Sequence, residues 1–350
     1  MNPSAAFQDS AHGLLSWLLD SRSETLDREG AHRPLALAQH LACCYRERGV
    51  PPPRGTPLEV TTPPWVAETY LREDRAYRAR VAALCGFIQE ELGGFLRHAY
   101  LHGSLATRDY APGWSDVDTF LVLRQETVTD DVRLLECRRR CLKAWPFFLA
   151  ICPLQHHGFI VATEADLSSY SSHYLPPPVL DEALNLLPAQ GTIRFHLRSE
   201  DAGAMASLRE RCSALREAAS EGVLRHHPRN GVYLMAGYRN AQDGMQQLFS
   251  LLGYAMTVPA YVMDACGRPC YKRESFAAVR PLFSVEAWSL IERASAIRAQ
   301  WPGREGVAYH GNAIPAWVQA ILGPDYFDDA LRLLDEAVAA AERRPLVKAV

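Results

Sequence analysis

The chain has 350 residues, of which 48% are hydrophobic, enough apolar side chain for two or three sizeable cores. Its 37 basic and 40 acidic residues nearly cancel, so no bulk positive field favours nucleic acid as a partner. No segment approaches the roughly 18 uninterrupted apolar residues of a membrane span, and no basic segment followed by an apolar one marks an export signal. We therefore expect a cytoplasmic protein with no membrane partner, for which nucleic acid is the less favoured ligand.

The first 64 residues are predicted to form a helical extension followed by a connector. Leucines recur at helical spacing in two segments before residue 50, which indicates two short helices. Six prolines between Pro51 and Pro64 exclude a helix and predict an extended connector over the surface. Residues 1–64 are therefore assigned to an N-terminal extension.

A helix and two strands are predicted next. From Val66 to Phe95 apolar residues recur at steps of three and four, which indicates a long helix. His98–His102 and 117–123 have the apolar character of strands. Asp116 and Asp118 stand two residues apart at the start of the second strand, so their side chains should project from one face.

A Gly-Ser pair directly follows the first of these strands. Gly103 permits a tight turn, in which its own N–H and the N–H and hydroxyl of Ser104 can face phosphate oxygens. Asp116 and Asp118 supply hard carboxylate oxygens, which suit Mg²⁺, with Mn²⁺ as an alternative ion, and leave further positions to water and substrate phosphates. This pattern predicts a site for a metal-bound nucleoside triphosphate.

The following segments are predicted to complete a small mixed sheet. A helix is expected from Thr129 to about residue 145, because Thr129-Asp130-Asp131 can cap it and apolar residues then recur along one face. Phe147–Cys152 and His157–Thr163 are predicted as two further strands. Residues 164–200 contain a proline-rich stretch and indicate a loop-rich crossing to the next domain.

Leu101-His102-Gly103-Ser104, followed by Ser115-Asp116-Val117-Asp118, resembles the active-site signature of the polymerase-beta-like nucleotidyltransferase superfamily. The family pattern is an apolar residue, Gly, Gly or Ser, a spacer of roughly ten residues, and Asp-x-Asp/Glu inside a strand. The resemblance is specific over the segment that contains these motifs and looser over residues 70–170, where the order of elements agrees.

The resemblance implies an α+β fold in which residues 65–180 form a polymerase-beta palm-like nucleotidyltransferase domain with a small mixed β-sheet. Residues 181–350 would then form a helical C-terminal domain that closes over the nucleotide. It also implies an activity, the transfer of a nucleoside monophosphate from Mg²⁺-bound nucleoside triphosphate to a hydroxyl acceptor with release of pyrophosphate. In this assignment Asp116 and Asp118 hold the metals, and Gly103 and Ser104 bind the phosphates.

The sequence departs from the family pattern at the third catalytic carboxylate. Active members bring this group on the strand after the helix, as metal ligand or base. Here Glu164 and Asp166 lie at or beyond the end of the predicted strand, and His156 and His157 occupy the strand itself. We take His157 as the candidate base or ligand, with a local structural role as the alternative. Without a third polar group, the protein would be a catalytically impaired, nucleotide-binding regulatory protein.

Helical periodicity dominates the remainder of the chain. Lys272 stands at the start of one predicted helix, within Tyr271-Lys272-Arg273-Glu274-Ser275, and related enzymes place a lysine from their helical lobe on the phosphates. The alternative is a solvated helix start that Ser275 caps. The near-neutral charge favours a small molecule or a protein side chain as acceptor over an RNA end. The predicted helices are 208–219, 232–256, 275–283, 285–300, 315–322 and 324–343.

Overall fold

The chain divides into two compact units. The first contains the described residues up to 170 and from 180 to 198, and the second contains those from 171 to 179 and from 203 onward. The domain boundaries predicted at residues 64 and 180 stay predictions. The computed structural model describes residues 3–20, 32–67, 75–171, 174–187, 191–198, 203–221, 223–225, 234–236, 244–311 and 313–343.

The first unit is a mixed α+β structure. Its strands are β1 (Thr56–Thr61), β2 (Leu96–His102), β3 (Asp118–Leu123), β4 (Ile160–Thr163), β5 (Leu184–Asn185) and β6 (Thr192–Leu197). Its helices are α1 (Pro3–Leu18), α2 (His32–Arg48), α3 (Arg75–Phe87), α4 (Gly103–Thr107), α5 (Gln125–Val128), α6 (Asp131–Lys143), α7 (Trp145–Ile151) and α8 (Glu164–Leu167).

A four-stranded mixed sheet forms the centre of this unit, in the order β4-β3-β2-β5. β3 runs antiparallel to β2, with His102 opposite Asp118, and parallel to β4, with Phe120 opposite Ile160. The five residues of β3 after Asp118 are buried, as expected for a central strand with both faces covered. The strands predicted around residues 98–102 and 117–123 are therefore confirmed, and so is a small mixed sheet.

One prediction for the first unit was wrong, and two were correct only in part. Phe147–Cys152 is not a strand, because α7 occupies Trp145–Ile151. A short apolar run fits a buried strand or a buried helix equally well, and Pro146 lies in the first turn, where a helix tolerates proline. The predicted connector is extended, but part of it is strand β1, which pairs along its whole length with β6. In addition, β4 begins only at Ile160, three residues after the predicted start.

The two predicted N-terminal helices are confirmed as α1 and α2, and both bury apolar residues in the first unit. Leu15 and Leu18 of α1 and Leu41 of α2 are fully buried. The Arg138 guanidinium of α6 is also buried and donates a hydrogen bond to the Leu18 carbonyl oxygen at 2.5 Å. Arg138 thus belongs to the packing between helices.

The long helix predicted before the Gly-Ser strand is present as α3, which continues as a π-helical turn at Ile88–Leu92 and a 3₁₀ turn at Gly93–Phe95. Its predicted start falls partly on residues 68–74, which lie outside the described residues. Leu84, Ile88 and Leu92 are fully buried. The 3₁₀ turn is followed directly by β2.

The second unit is mainly helical in its described part. Most predicted helices are confirmed, but Leu234–Ala236 in the predicted helix 232–256 is a strand. Among the described residues, no helix combines the length and the apolar character needed to cross a membrane. The described helices of the second unit are α9 (Gly203–Glu221), α10 (Met245–Ala265), α11 (Lys272–Val279), α12 (Val285–Arg304), α13 (Ala316–Leu322) and α14 (Tyr326–Glu342), and its described strands are β7 (Val223–Arg225) and β8 (Leu234–Ala236).

Candidate functional site

The Gly-Ser turn and the Asp-x-Asp strand meet at the same end of neighbouring strands. β2 ends at His102, and Gly103 turns the chain with φ +69°. A Cβ atom at Gly103 would overlap the Asp118 carboxylate, so both the left-handed conformation and the close approach require glycine. The half-buried Ser104 follows in the first turn of α4. The structure therefore places Gly103 directly against the Asp118 side chain.

A closed turn precedes the two aspartates. The Ser115 N–H donates to the Ala111 carbonyl oxygen, and the Ala111 N–H donates to Ser115 Oγ, both at 2.8 Å. Val117 is fully buried. Because side chains alternate along extended chain, Asp116 and Asp118 project to the face opposite Val117, as the sequence predicts.

Gln155 joins this segment to the one that carries the two histidines. Its Oε1 accepts a hydrogen bond from the Val117 N–H at 2.8 Å, and its Nε2 donates to the carbonyl oxygens of His157 at 2.7 Å and Val117 at 3.2 Å. The Gln155 side chain is fully buried. Since β4 begins only at Ile160, these bonds replace the missing strand pairing and position the histidines beside the aspartates.

The histidine pair and the two aspartates form a cluster at the ends of the strands. His157 Nε2 lies 3.4 Å from Asp116 Oδ2 and 3.5 Å from Asp118 Oδ1. His156 Nδ1 lies 3.8 Å from the same Asp116 oxygen. All four side chains are 22–26% exposed, so the cluster is open to solvent. Among the described residues, Asp116, His156 and His157 form a group whose ligand atoms could hold a metal ion.

The orientation of the His157 ring follows from its second nitrogen. Nδ1 lies 2.9 Å from the Gly158 carbonyl oxygen, which can only accept, so Nδ1 carries a proton and Nε2 faces the carboxylates. Burial lowers the pKa of His157, but the interactions with Asp116 and Asp118 outweigh this effect and raise the pKa to about 10. In the absence of another cation, His157 would therefore be an imidazolium between two carboxylates.

His102 is a second buried histidine on this face of the sheet. It stands opposite Asp118 in the β2–β3 ladder, and directly opposed residues of antiparallel strands project to the same side. The residue is 4% exposed, and neither ring nitrogen has a hydrogen-bond partner within the described part of the chain. Burial lowers the pKa of His102, although Asp118 acts in the opposite direction. A neutral imidazole thus lies beside the carboxylate cluster.

The two acids that follow the histidines lie at the opposite end of the strands. β3 and β4 run parallel, so Glu164 and Asp166, after the end of β4, are separated from Asp116 by the length of the strand pair. Glu164 accepts from the Gln125 N–H at 2.7 Å. Asp166 forms a capping box with Thr163 at the start of α8. Neither supplies a third carboxylate to the site.

Lys272 is the first residue of α11, in the second unit, and it is exposed. Ser275 does not cap this helix, because the helix begins three residues earlier and the Ser275 hydroxyl donates to the Lys272 carbonyl oxygen at 2.6 Å. A role for Lys272 at the phosphates stays a prediction.

The sequence did not predict that His102 and Gln155 belong to the site. Their only signal is position, His102 directly before Gly103 and Gln155 directly before the histidine pair. No family model matches the chain, and no match emerges among curated proteins.

Proposed function

We propose that the first unit binds a metal-complexed nucleoside triphosphate and transfers its nucleoside monophosphate to a hydroxyl acceptor, with release of pyrophosphate. The approach of Gly103 to Asp118 carries this proposal, because it joins a phosphate-binding turn to a pair of carboxylates at one strand end. The resemblance to the polymerase-beta-like nucleotidyltransferases supports the same conclusion from the sequence.

Each residue of the site has a distinct role in the proposal. Asp116 and Asp118 fit a divalent ion, Mg²⁺ or Mn²⁺, because both carboxylates project from one partly exposed face. Such an ion would neutralise the triphosphate and stabilise the leaving pyrophosphate oxygen. The N–H groups of Gly103 and Ser104, with the Ser104 hydroxyl, would orient the terminal phosphates. Lys272 is our candidate for additional positive charge on the phosphates.

In the proposed reaction, the acceptor oxygen bonds to the α-phosphorus while the bond from that phosphorus to the bridging oxygen of pyrophosphate breaks. The acceptor hydroxyl must lose its proton to a base. His157 is our candidate for the role of the missing third carboxylate, as base or as metal ligand. A divalent ion held by Asp116 and Asp118 would offset the two negative charges that keep the His157 ring protonated, and would thereby allow a neutral Nε2. The acceptor class favoured by the near-neutral charge is a small molecule or a protein side chain.

A second candidate function is nucleotide binding without turnover, in a regulatory or interaction protein. The observation that favours it is the composition of the cluster, since the group around Asp116 in the described residues contains imidazoles in place of a third carboxylate. The two functions share the binding site and differ in whether pyrophosphate is released.

Incubation of the purified protein with each α-³²P-labelled nucleoside triphosphate tests the proposal. Reactions contain Mg²⁺ or Mn²⁺, with and without cell extract, and follow pyrophosphate release together with label on protein, RNA and small molecules. We expect label on a defined acceptor, lost in Asp118→Asn and retained in the control Asp328→Asn, which changes an exposed aspartate of α14. Metal-dependent binding with no pyrophosphate supports the second function. Full activity in Asp118→Asn would show that the site is misassigned.

A further inference from the structure

We infer that Asp116, His156 and His157 form a three-ligand site for a tetrahedral divalent transition-metal ion, of which Zn²⁺ is the representative. The fourth position would be open to water or to a phosphate oxygen, as in sites where a metal meets a substrate. The inference rests on the proposed function for the role of this ion in phosphate chemistry, whereas binding of the ion is measured independently.

The cluster offers two imidazole nitrogens and one carboxylate oxygen as ligand atoms. Mg²⁺ takes oxygen ligands almost exclusively, and a site built for it alone gains nothing from two imidazoles. Imidazole nitrogen suits Zn²⁺ and neighbouring first-row ions, and two histidines with one carboxylate form a recurrent set for an open zinc site. His156 and His157 follow one another in sequence, yet the Gln155 hydrogen bonds place both imidazoles near the Asp116 carboxylate.

The distance between two ligand atoms depends on the coordination geometry of the ion that they share. Two ligand atoms about 2.0–2.1 Å from a tetrahedral ion lie about 3.3–3.4 Å apart. Neighbouring ligands of an octahedral Mg²⁺ with similar bond lengths lie about 2.9 Å apart. His157 Nε2 and Asp116 Oδ2 are separated by 3.4 Å, and His156 Nδ1 and that oxygen by 3.8 Å. The 3.4 Å separation matches a pair of tetrahedral ligands, whereas the 3.8 Å separation must shorten when an ion binds, and all three ligand atoms lie within 4.8 Å of one another.

The orientation of His157 is typical of a metal ligand. Metal-bound histidines donate their other ring N–H to a carbonyl or a carboxylate, which fixes the ring. His157 Nδ1 donates in this way to the Gly158 carbonyl oxygen at 2.9 Å, and the Nε2 atom is directed at Asp116 and Asp118. A neutral ring would point its Nε2 lone pair at two anions, so the arrangement requires positive charge at this position, which either a proton on Nε2 or a bound metal ion supplies.

His102 is an independent indication that a ligand belongs here. It is a buried imidazole with no hydrogen-bond partner at either nitrogen in the described residues, on the same sheet face as Asp118. Buried polar groups in native proteins nearly always have a hydrogen-bond partner, so the two ring nitrogens of His102 indicate a partner that the described residues do not supply. A water or phosphate oxygen on the metal would provide that partner.

Cobalt spectroscopy of the full chain tests the inference. The protein is stripped with a chelator and titrated with Co²⁺, whose visible absorption is strong in tetrahedral and weak in octahedral sites. We expect a stoichiometric increase of the strong band, its loss on addition of stoichiometric Zn²⁺, and no loss in a large excess of Mg²⁺. A weak octahedral spectrum, or displacement by Mg²⁺, would overturn the inference.

Variants assign the ligands. We expect His156→Ala and His157→Ala each to lower Zn²⁺ affinity by at least the roughly 10–100-fold that loss of a supporting residue costs. The control His310→Ala, which removes an exposed histidine, should leave affinity unchanged. His157→Cys supplies a thiolate, another zinc ligand, and should bind Zn²⁺ more tightly than His157→Ala. Equal affinities in both His157 variants and the wild type, with all proteins folded by circular dichroism, would contradict the inference.

The outcomes also separate this inference from the proposed function. Nucleotide transfer supported by Mg²⁺ alone, together with an octahedral cobalt spectrum, would leave the proposed function intact and remove the transition-metal site. A tetrahedral cobalt spectrum in a protein that binds no nucleoside triphosphate would do the opposite.

Discussion

Two carboxylate–histidine clusters lie at opposite ends of the same strand pair, and they differ in how their carboxylates are bonded. Asp166 accepts from the Thr163 N–H at 2.9 Å and the Thr163 hydroxyl at 2.8 Å, and it pairs with Arg48 at 3.0 Å and His12 at 3.3 Å. A carboxylate has about four acceptor positions, and Asp166 has four protein donors.

In the Asp116 cluster the carboxylate faces two imidazoles, and the separations are longer. His157 lies 3.4 Å from Asp116 and 3.5 Å from Asp118, which is longer than a short hydrogen bond and close to the separation of two ligands of one tetrahedral metal ion. A carboxylate beside a histidine is therefore not sufficient to define a ligand site. Asp166 lies within 3.0 Å of Arg48 and of two donors of Thr163, whereas Asp116 faces two imidazoles at 3.4 and 3.8 Å.

Asp116→Asn should have the largest functional effect, because it removes the carboxylate that both histidines approach. We expect Zn²⁺ affinity to fall by more than about 100-fold, beyond the usual cost of losing a supporting residue, and metal-dependent nucleotide binding to fall with it. Isothermal titration calorimetry measures both quantities. An Asp116→Asn protein that binds metal normally would contradict the assignment of the Asp116 cluster as a metal site.

Asp166→Asn should instead lower stability and leave metal affinity unchanged. The substitution leaves the partly buried Arg48 and His12 without their carboxylate, and breaking such a pair costs up to about 3 kcal/mol. Urea denaturation gives the free energy of unfolding, and metal titration of the folded variant gives the affinity. A stable Asp166→Asn protein with impaired metal binding would reverse the roles assigned to the two ends.

Acid should destabilise the protein partly through the same carboxylate. Burial raises the pKa of Asp166, but His12, Arg48 and Thr163 outweigh it and hold the pKa well below its ordinary value. The stabilisation is therefore complete above about pH 4 and declines as the pH falls further, by at most about 1.4 kcal/mol per pH unit. Denaturation of wild type and Asp166→Asn between pH 6 and about pH 3 measures it. A stability difference that stays constant over this range would contradict the assignment.

Gly103→Ala should have a smaller effect that is local to the candidate site. An alanine at φ +69° costs about 1–2 kcal/mol, and its Cβ must displace the Asp118 carboxylate. We expect modest destabilisation together with weaker nucleotide binding. Gly86→Ala is the matched control, because the helical Gly86 has open space around its Cβ position and alanine should be tolerated there. Equal nucleotide binding in the two variants would show that the turn does not position Asp118.

The local parts of the site were accessible from the sequence, and the parts that depend on strand register were not. The spacing of two identifies the shared face of Asp116 and Asp118, and a glycine after a strand indicates the turn. The bonds of Gln155 and the burial of His102 arise only when separate strands align, which no local pattern encodes. The helix at Trp145–Ile151 was missed because a short apolar run lacks a distinguishing period.

The most direct test is a crystal structure of the protein with Mn²⁺, Zn²⁺ and a non-hydrolysable nucleoside triphosphate, with anomalous data collected for each metal. We predict an anomalous peak within bonding distance of Asp116 and His157, and triphosphate oxygens against Gly103 and Ser104. A nucleotide bound elsewhere on the chain, or bound here with no metal near Asp116, would contradict the assignment of this strand end as a metal–nucleotide site.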